Sequence, residues 1–139
     1  MDTVADWSKK HSFTFETQFV EPTHVYILNF EDGQKLKIDF AYYPHKMLDK
    51  RKRLGKLEVD SKLDIAENKT LLISGQRVEV KDFVDLYFLL QEFTVWDLIE
   101  DVRIKFNARI EPFVLASDFT TPEEFEFLPK MLKPCLLKN

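Results

Sequence analysis

Cysteine, glycine and long apolar runs are all scarce in this sequence. The single Cys135 cannot form an internal disulfide, and no Cys/His spacing resembles a zinc site. Three glycines and six prolines argue against linkers and low-complexity segments. The longest apolar run, residues 86–90, is far shorter than a membrane span. The first residues lack the basic start and apolar stretch of a signal peptide, so we expect a soluble cytoplasmic protein without membrane contact.

Hydrophobic residues make up 45% of the 139 residues and include thirteen phenylalanines, which predicts a globular protein of one domain over residues 1–139. The net charge of −4 is unevenly distributed, because residues 1–56 carry ten basic and eight acidic side chains. The basic excess lies between Lys46 and Lys56 and includes Lys50, Arg51, Lys52 and Arg53. Such a run either contacts phosphates of a nucleic acid such as RNA or forms a solvated loop.

Residues 1–44 have the pattern of one short helix followed by an antiparallel meander of three strands. The helix is expected at residues 2–11 and the strands at 12–19, 23–30 and 34–42, each strand alternating between apolar and polar positions. Asp32-Gly33 is a strong signal for a tight reversal between the second and third strands. In the third strand, the side chains expected to face inward are Leu36, Ile38 and Phe40.

Residues 45–59 look like a basic connection, and residues 60–139 a helical part with an acidic tail. Ser61 with Asp64 has capping-box spacing and opens a helix that Gly75 can end, and Thr94 opens another. The segment at 81–93 is predicted to be a helix, and its residues 81–90 are so apolar that we expect burial on nearly every side. In the helix after Thr94, Asp101 and Lys105 stand four apart and predict an exposed face. A shorter helix begins at Pro112. The expected fold class is α+β, with a small three-stranded meander packed against a C-terminal helical bundle.

Polar residues in apolar surroundings are the candidates for a functional site. Asp82 and Asp85 lie three apart in the driest stretch of the chain, although acids in a first helical turn also satisfy free N–H groups. Lys69 lies on a partly apolar helix face, where a lysine usually extends its ammonium to water. Asp39 lies on the polar face of the third strand. An acid on such a solvated face is ordinary, although aspartate is depleted in strands.

The segments that contain these residues resemble the sequence motifs of a known protein family. The block LDIAENKTLLISGQRVEVKDFVDLYFLLQEF resembles the C-terminal signature of the nucleotidyltransferase toxins of bacterial abortive-infection (toxin–antitoxin) systems. That signature is an Asp-Ile-Ala helix with a lysine, a short basic turn, and then Lys/Arg-Asp-x-x-Asp-Leu-Tyr. The segment GQKLKIDFAYYPHKML is similar to the family strand that bears the third acidic residue of the active site. The similarity extends from about Gly33 to Met131, with FVLASDFTTPEEFEFLPKML resembling the closing segment.

The resemblance implies nucleotidyl transfer, in which carboxylates hold Mg²⁺ and an acceptor hydroxyl attacks the α-phosphorus of a nucleoside triphosphate. By motif position, Asp39 is the implied metal ligand, and Lys69 is implied to approach the nucleotide phosphates. Asp82 and Asp85 are implied to frame the pocket as further catalytic candidates. The remaining implied phosphate contacts are Arg77 and Lys81.

The family also has a Gly-Gly-Thr-type segment and an Asp-x-Asp strand, and the sequence contains neither. One carboxylate is a weak Mg²⁺ site. We therefore expect a truncated nucleotidyltransferase-like protein without transferase activity alone, acting as a binding or interaction module. The alternative is a transferase completed in trans by a partner chain or a dimer mate. The expected partners are a nucleotide, an RNA, a partner protein or a second copy joined through an uncovered sheet edge.

Overall fold

The structure, a computed structural model, describes residues 3–75 and 79–120. Those ranges contain helices and two antiparallel sheets, one of three strands and one of two. The α+β class predicted from the sequence is confirmed. The chain divides into two compact units, Met1–Pro44 and His45–Asn139. No helix in the described ranges has the length and apolar character needed to cross a membrane.

The first unit begins with helix α1, Val4–His11. Thr3 caps it reciprocally with Asp6: the Asp6 amide donates to the Thr3 hydroxyl, and the Thr3 amide donates to the Asp6 carboxylate. This capping box satisfies two of the N–H groups that a helix start leaves free. The helix ends at Ser12, whose positive φ of 53° turns the chain directly into the first strand.

Strands β1 (Phe13–Val20), β2 (Thr23–Phe30) and β3 (Lys35–Ala41) form the meander, with β2 in the middle. The pairing is antiparallel, and β2 pairs in full register with β1. Gly33, with a φ of 80°, makes the reversal before β3, and the Gln34 amide donates to the Asp32 carboxylate at 3.0 Å. The predicted strands and their turn are confirmed.

Burial in the meander is concentrated in its middle strand. Val25 and Leu28 of β2 are buried, whereas Leu36 and Phe40 of β3 are about half exposed, at 48% and 51%. The prediction that Leu36 and Phe40 face a buried core is therefore wrong, and only Ile38 is partly buried. The reason is that β3 is an edge strand, with a neighbouring strand on one side, while β2 is flanked on both sides.

The second unit begins with a feature that the sequence analysis missed. Strands β4 (Lys52–Leu54) and β5 (Leu57–Val59) form an exposed antiparallel hairpin within the basic connection. Gly55 makes its turn with a φ of 62°, a conformation that glycine adopts at little cost. Strands of three residues are too short for an alternating pattern to be recognised, which explains why the connection looked unstructured.

Helices α2 (Lys62–Ser74), α3 (Val80–Leu89), α4 (Val95–Phe106) and α5 (Pro112–Asp118) build the rest of the second unit. Helix α2 is central and contacts each of the other three. The N-caps predicted at Ser61 and Thr94 are confirmed, since each hydroxyl accepts the amide of the aspartate three residues later. The buried apolar core comprises Ala66, Ile73, Leu86, Leu98, Val102, Ile110 and Leu115.

Helix α3 is less buried than its composition suggests. Among its residues Asp82 and Leu86 are buried, whereas Tyr87 and Phe88 are 55% and 42% exposed. The prediction that this segment is buried on nearly every side is wrong, because α3 packs along α2 with one side. From residue 121 onward, the predicted acidic tail lies outside the described residues.

Candidate functional site

The predicted candidates Lys69, Asp82 and Asp85 come together in the second unit. Lys69 extends from the middle of α2 toward the first turns of α3, where two carboxylates three residues apart share one face. Its Nζ atom lies 2.6 Å from Asp82 Oδ1 and 2.8 Å from Asp85 Oδ2. We call these three residues the Lys69 site.

The three side chains of the Lys69 site differ in their access to water. The side chain of Lys69 is 18% exposed, that of Asp82 is 2% exposed, and that of Asp85 is 51% exposed. The site therefore passes from the dry core to the surface within one turn of α3. Lys69 does not extend freely into water, as lysines on such faces commonly do, because both of its contacts are carboxylates.

The charge state of Lys69 follows from these contacts. Burial acts to lower the pKa of Lys69, but the hydrogen bonds to Asp82 and Asp85 outweigh it and hold the pKa above its usual value of 10.5. The ammonium is therefore charged at neutral pH. Asp82 also lies in the first turn of α3, where an acid is stabilised by the positive end of the helix dipole. However, the Asp82 carboxylate accepts a hydrogen bond from Lys69, and the N-cap residue Glu79 makes no side-chain capping bond.

A second lysine with two carboxylates lies deeper in the same unit. Lys105 of α4 contacts Asp64 and Glu67 of α2, and all three side chains are fully buried. The distance from Lys105 Nζ to Asp64 Oδ1 is 2.6 Å. We call these residues the Lys105 site. The prediction that Lys105 lies on an exposed face with Asp101 is wrong, because its ammonium points into the unit toward α2.

Asp64 is the most highly bonded group of the Lys105 site. It accepts hydrogen bonds from the hydroxyl of Ser61 at 2.6 Å and from the backbone amides of Leu48 and Asp49 at 2.9 and 3.2 Å. Burial acts to raise the pKa of Asp64, but these bonds and Lys105 outweigh it and hold the pKa well below the usual range. Asp64 therefore fixes the loop at 48–49 onto α2 as an ionised acceptor.

The pKa of Glu67 shifts in the opposite direction from the pKa of Asp64. Burial is the largest influence and raises the pKa of Glu67 to about 7, which Lys105 opposes and the neighbouring Asp64 reinforces. Its Oε2 atom is buried without a hydrogen-bond partner. One lysine thus faces two acids in a dry site, and near neutral pH the second acid holds a proton part of the time.

One signal for the Lys105 site is present in the sequence of α4. Lys105 follows Leu98 and Val102 at positions i+7 and i+3, which places it in the same helical stripe as two fully buried residues. A charged residue in such a stripe either extends outward or has a buried partner. Its partners Asp64 and Glu67 lie about forty residues earlier, and no local pattern connects them to it.

Asp39, the implied metal ligand, belongs to the first unit. It lies on the polar side of β3, about half exposed, with Oδ2 3.1 Å from Nζ of Lys37. Among the residues that the structure describes, no group of three or more His, Cys, Asp and Glu side chains is arranged to hold one metal ion. Asp39 thus offers a single carboxylate for a Mg²⁺ ion.

The predicted basic contacts are exposed, and some of them are paired with acids. Arg51 lies 2.9 Å from Asp60 and 3.8 Å from Glu58. Lys52 and Arg53 are part of β4, and Arg53 donates to the carbonyl of Gly55 at the hairpin turn. Exposed Lys50 precedes the strand.

Two further predicted phosphate contacts lie around the start of α3. Lys81 is exposed and lies 3.6 Å from Glu79. Arg77 falls outside the described residues. The described members of the predicted set therefore lie in the Lys69 site, at the start of α3, in the strand with Asp39, and in or just before an exposed hairpin whose positive charge is partly neutralised.

Comparison with known proteins gives no assignment: no family model, curated protein or solved structure matches the chain. A function must therefore be argued from the geometry of the Lys69 site and from the motif in which its residues occur.

Proposed function

We propose that this chain is a nucleotidyltransferase-like binding module in which Lys69 contacts the phosphates of a nucleotide. The observation that carries the proposal is the position of the Lys69 ammonium, 2.6 Å from Asp82 and 2.8 Å from Asp85, on a side chain that is 18% exposed. The motif resemblance assigned these same three residues to one pocket. The contacts between them agree with that assignment and support it.

The chemistry of the Lys69 site suits a phosphate. A lysine ammonium binds phosphate oxygens as a compact positive charge, and its raised pKa keeps Lys69 charged throughout the neutral range. Asp82 lies in the first turn of α3, where the helix dipole adds partial positive charge close to the ammonium. The buried Asp82 carboxylate fixes where the ammonium lies, so little side-chain entropy remains to be lost when a ligand binds.

Transfer chemistry is a separate part of the proposal. Nucleotidyl transfer needs Mg²⁺ held by carboxylates together with the substrate phosphates, and the 139 residues contain no Asp-x-Asp pair. We propose that the chain binds nucleotide without transferring it, and that transfer needs carboxylates from a partner chain or a dimer mate.

The binding proposal is tested by thermal unfolding with each of the four Mg-nucleoside triphosphates. A ligand that binds the folded chain stabilises it by mass action, so at least one of the four should raise the melting temperature by about 5 °C or more at saturation. Lys69→Met should abolish this rise. Lys62→Met is the matched control, because Lys62 is an exposed lysine of the same helix, and the rise should persist. No shift with any triphosphate would refute nucleotide binding.

The same protein can be incubated with α-labelled triphosphates and candidate acceptors. We expect no label on RNA or protein with this chain alone. Transfer by the wild type that Asp39→Asn abolishes would instead make the chain a complete enzyme and overturn the restriction to binding.

A further inference from the structure

We propose that Asp85 and the nucleotide phosphate compete for Lys69, so that the phosphate displaces the Asp85 carboxylate while Asp82 remains bound. This inference rests on the proposed function and adds to it a regulatory residue. Asp85 then limits which anions reach Lys69.

The charge of the Lys69 site favours such a displacement. One ammonium faces two carboxylates at 2.6 and 2.8 Å, so the three side chains together carry an excess of negative charge. An incoming phosphate adds further negative charge within a few ångströms of both acids, which is unfavourable in a partly desolvated site. Departure of one carboxylate relieves this repulsion and leaves a further N–H of Lys69 for the phosphate, so displacement is the favoured way to bind it.

Burial determines which carboxylate moves. The side chain of Asp82 is 2% exposed, and an ionised group that leaves its lysine there remains in the dry interior at a large cost. The side chain of Asp85 is 51% exposed, so a rotation about its side-chain bonds transfers its carboxylate to water at little cost. Asp85 is thus the exchangeable partner of Lys69, and Asp82 is the fixed one.

The two acids also occupy suitable places on α3. Asp82 is in the first turn, next to α2, while Asp85 lies one turn further along and closer to the surface. A phosphate that replaces Asp85 would approach from the solvent side and leave the contact between α2 and α3 unchanged. The helix packing would therefore be the same with and without a ligand.

The test measures binding of ATP and of inorganic triphosphate by calorimetry, first without Mg²⁺ and then with it. Asp85→Asn keeps the shape of the side chain and removes its charge, so both ligands should bind about three- to tenfold more tightly than to the wild type. Lys69→Met should lose binding. Glu100→Gln is the control for net charge, since it removes one exposed acid of the same unit, and its affinity should stay within about twofold of the wild type.

The outcomes separate the two proposals. Tighter binding by Asp85→Asn supports competition, because loss of a merely structural contact would not raise affinity. Equal affinity of Asp85→Asn and wild type, with Lys69→Met weaker, overturns the competition and leaves the nucleotide site in place. Weaker binding by Asp85→Asn, above all with Mg²⁺ present, would show that Asp85 assists the ligand or its metal and would also overturn it. No binding by any variant would refute the nucleotide site itself.

Discussion

Helix α2 contributes to two sites in which one lysine contacts two carboxylates, and these sites differ mainly in their access to water. At the Lys105 site all three side chains are fully buried, and Asp64 is bonded to the backbone of residues 48–49 as well. At the Lys69 site one carboxylate is buried and the other is half exposed. Similar residues therefore form a fully buried cluster in one place and a cluster that extends to the surface in the other.

Protonation follows the same difference. At the Lys105 site burial raises the pKa of Glu67 to about 7, whereas hydrogen bonds and Lys105 outweigh burial at Asp64 and hold its pKa low. At the Lys69 site the hydrogen bonds to the two carboxylates outweigh burial and raise the pKa of Lys69, so its charged form is favoured. The comparison indicates that burial and hydrogen bonding together decide how each group of such a cluster ionises.

The largest expected effect on stability comes from removing the lysine of the Lys105 site. Lys105→Met leaves Asp64 and Glu67 buried without their cation, which should lower the free energy of unfolding by about 3–5 kcal/mol. Urea denaturation measures this change. Lys62→Met, which breaks an exposed pair with Glu92, should change stability by about 0–1 kcal/mol. If Lys105→Met lowered the free energy of unfolding by less than about 1 kcal/mol, the Lys105 site would not be needed for stability.

The next effect is a dependence of stability on pH that comes from Glu67. Its pKa rises from the usual 4.5 in the unfolded chain to about 7 in the folded one. The folded state thus retains a proton that the unfolded state has lost, and the stabilisation present below pH 4.5 disappears as the pH rises through 7. Glu67→Gln has no such proton. Between pH 5 and 8 the wild type should therefore lose up to about 3 kcal/mol relative to this variant.

Urea denaturation of both proteins at several pH values measures this difference. Glu92→Gln provides the matched control, because Glu92 is an exposed glutamate that also contacts a lysine, and its stability should stay within about 1 kcal/mol of the wild type throughout. If the stability difference between wild type and Glu67→Gln stayed constant from pH 5 to 8, the raised pKa of Glu67 would be contradicted. The Lys105 site would then have no acid that titrates in this range.

Much of the fold could be predicted because its signals are local. Ser61 and Thr94 cap helices through the residue three positions later, and Asp32-Gly33 specifies a turn between adjacent strands. The Lys69 site was predictable from a motif that spans only 17 residues, from Lys69 to Asp85. Each of these features depends on residues close together in the chain.

The Lys105 site was not predictable in the same way, because Lys105 lies about forty positions after Asp64 and Glu67 and meets them only when α4 packs on α2. The exposure of Tyr87 and Phe88 was missed for a related reason. The apolar composition of a helix shows that it can be buried, but the number of neighbouring elements decides how many of its sides are covered. Tertiary arrangement, and not propensity, determined both features.

The smallest expected effect is a difference in stability between variants of the two acids of the Lys69 site. Asp82→Asn removes a buried partner of Lys69 and should lower the free energy of unfolding by about 1–3 kcal/mol, whereas half-exposed Asp85→Asn should lower it by about 0–1 kcal/mol. The two variants make the same chemical change three residues apart on one helix, so each is the other's control in urea denaturation. Equal losses would mean that Asp85 is as firmly bound as Asp82, and Lys69 would then have no carboxylate that a phosphate can readily displace.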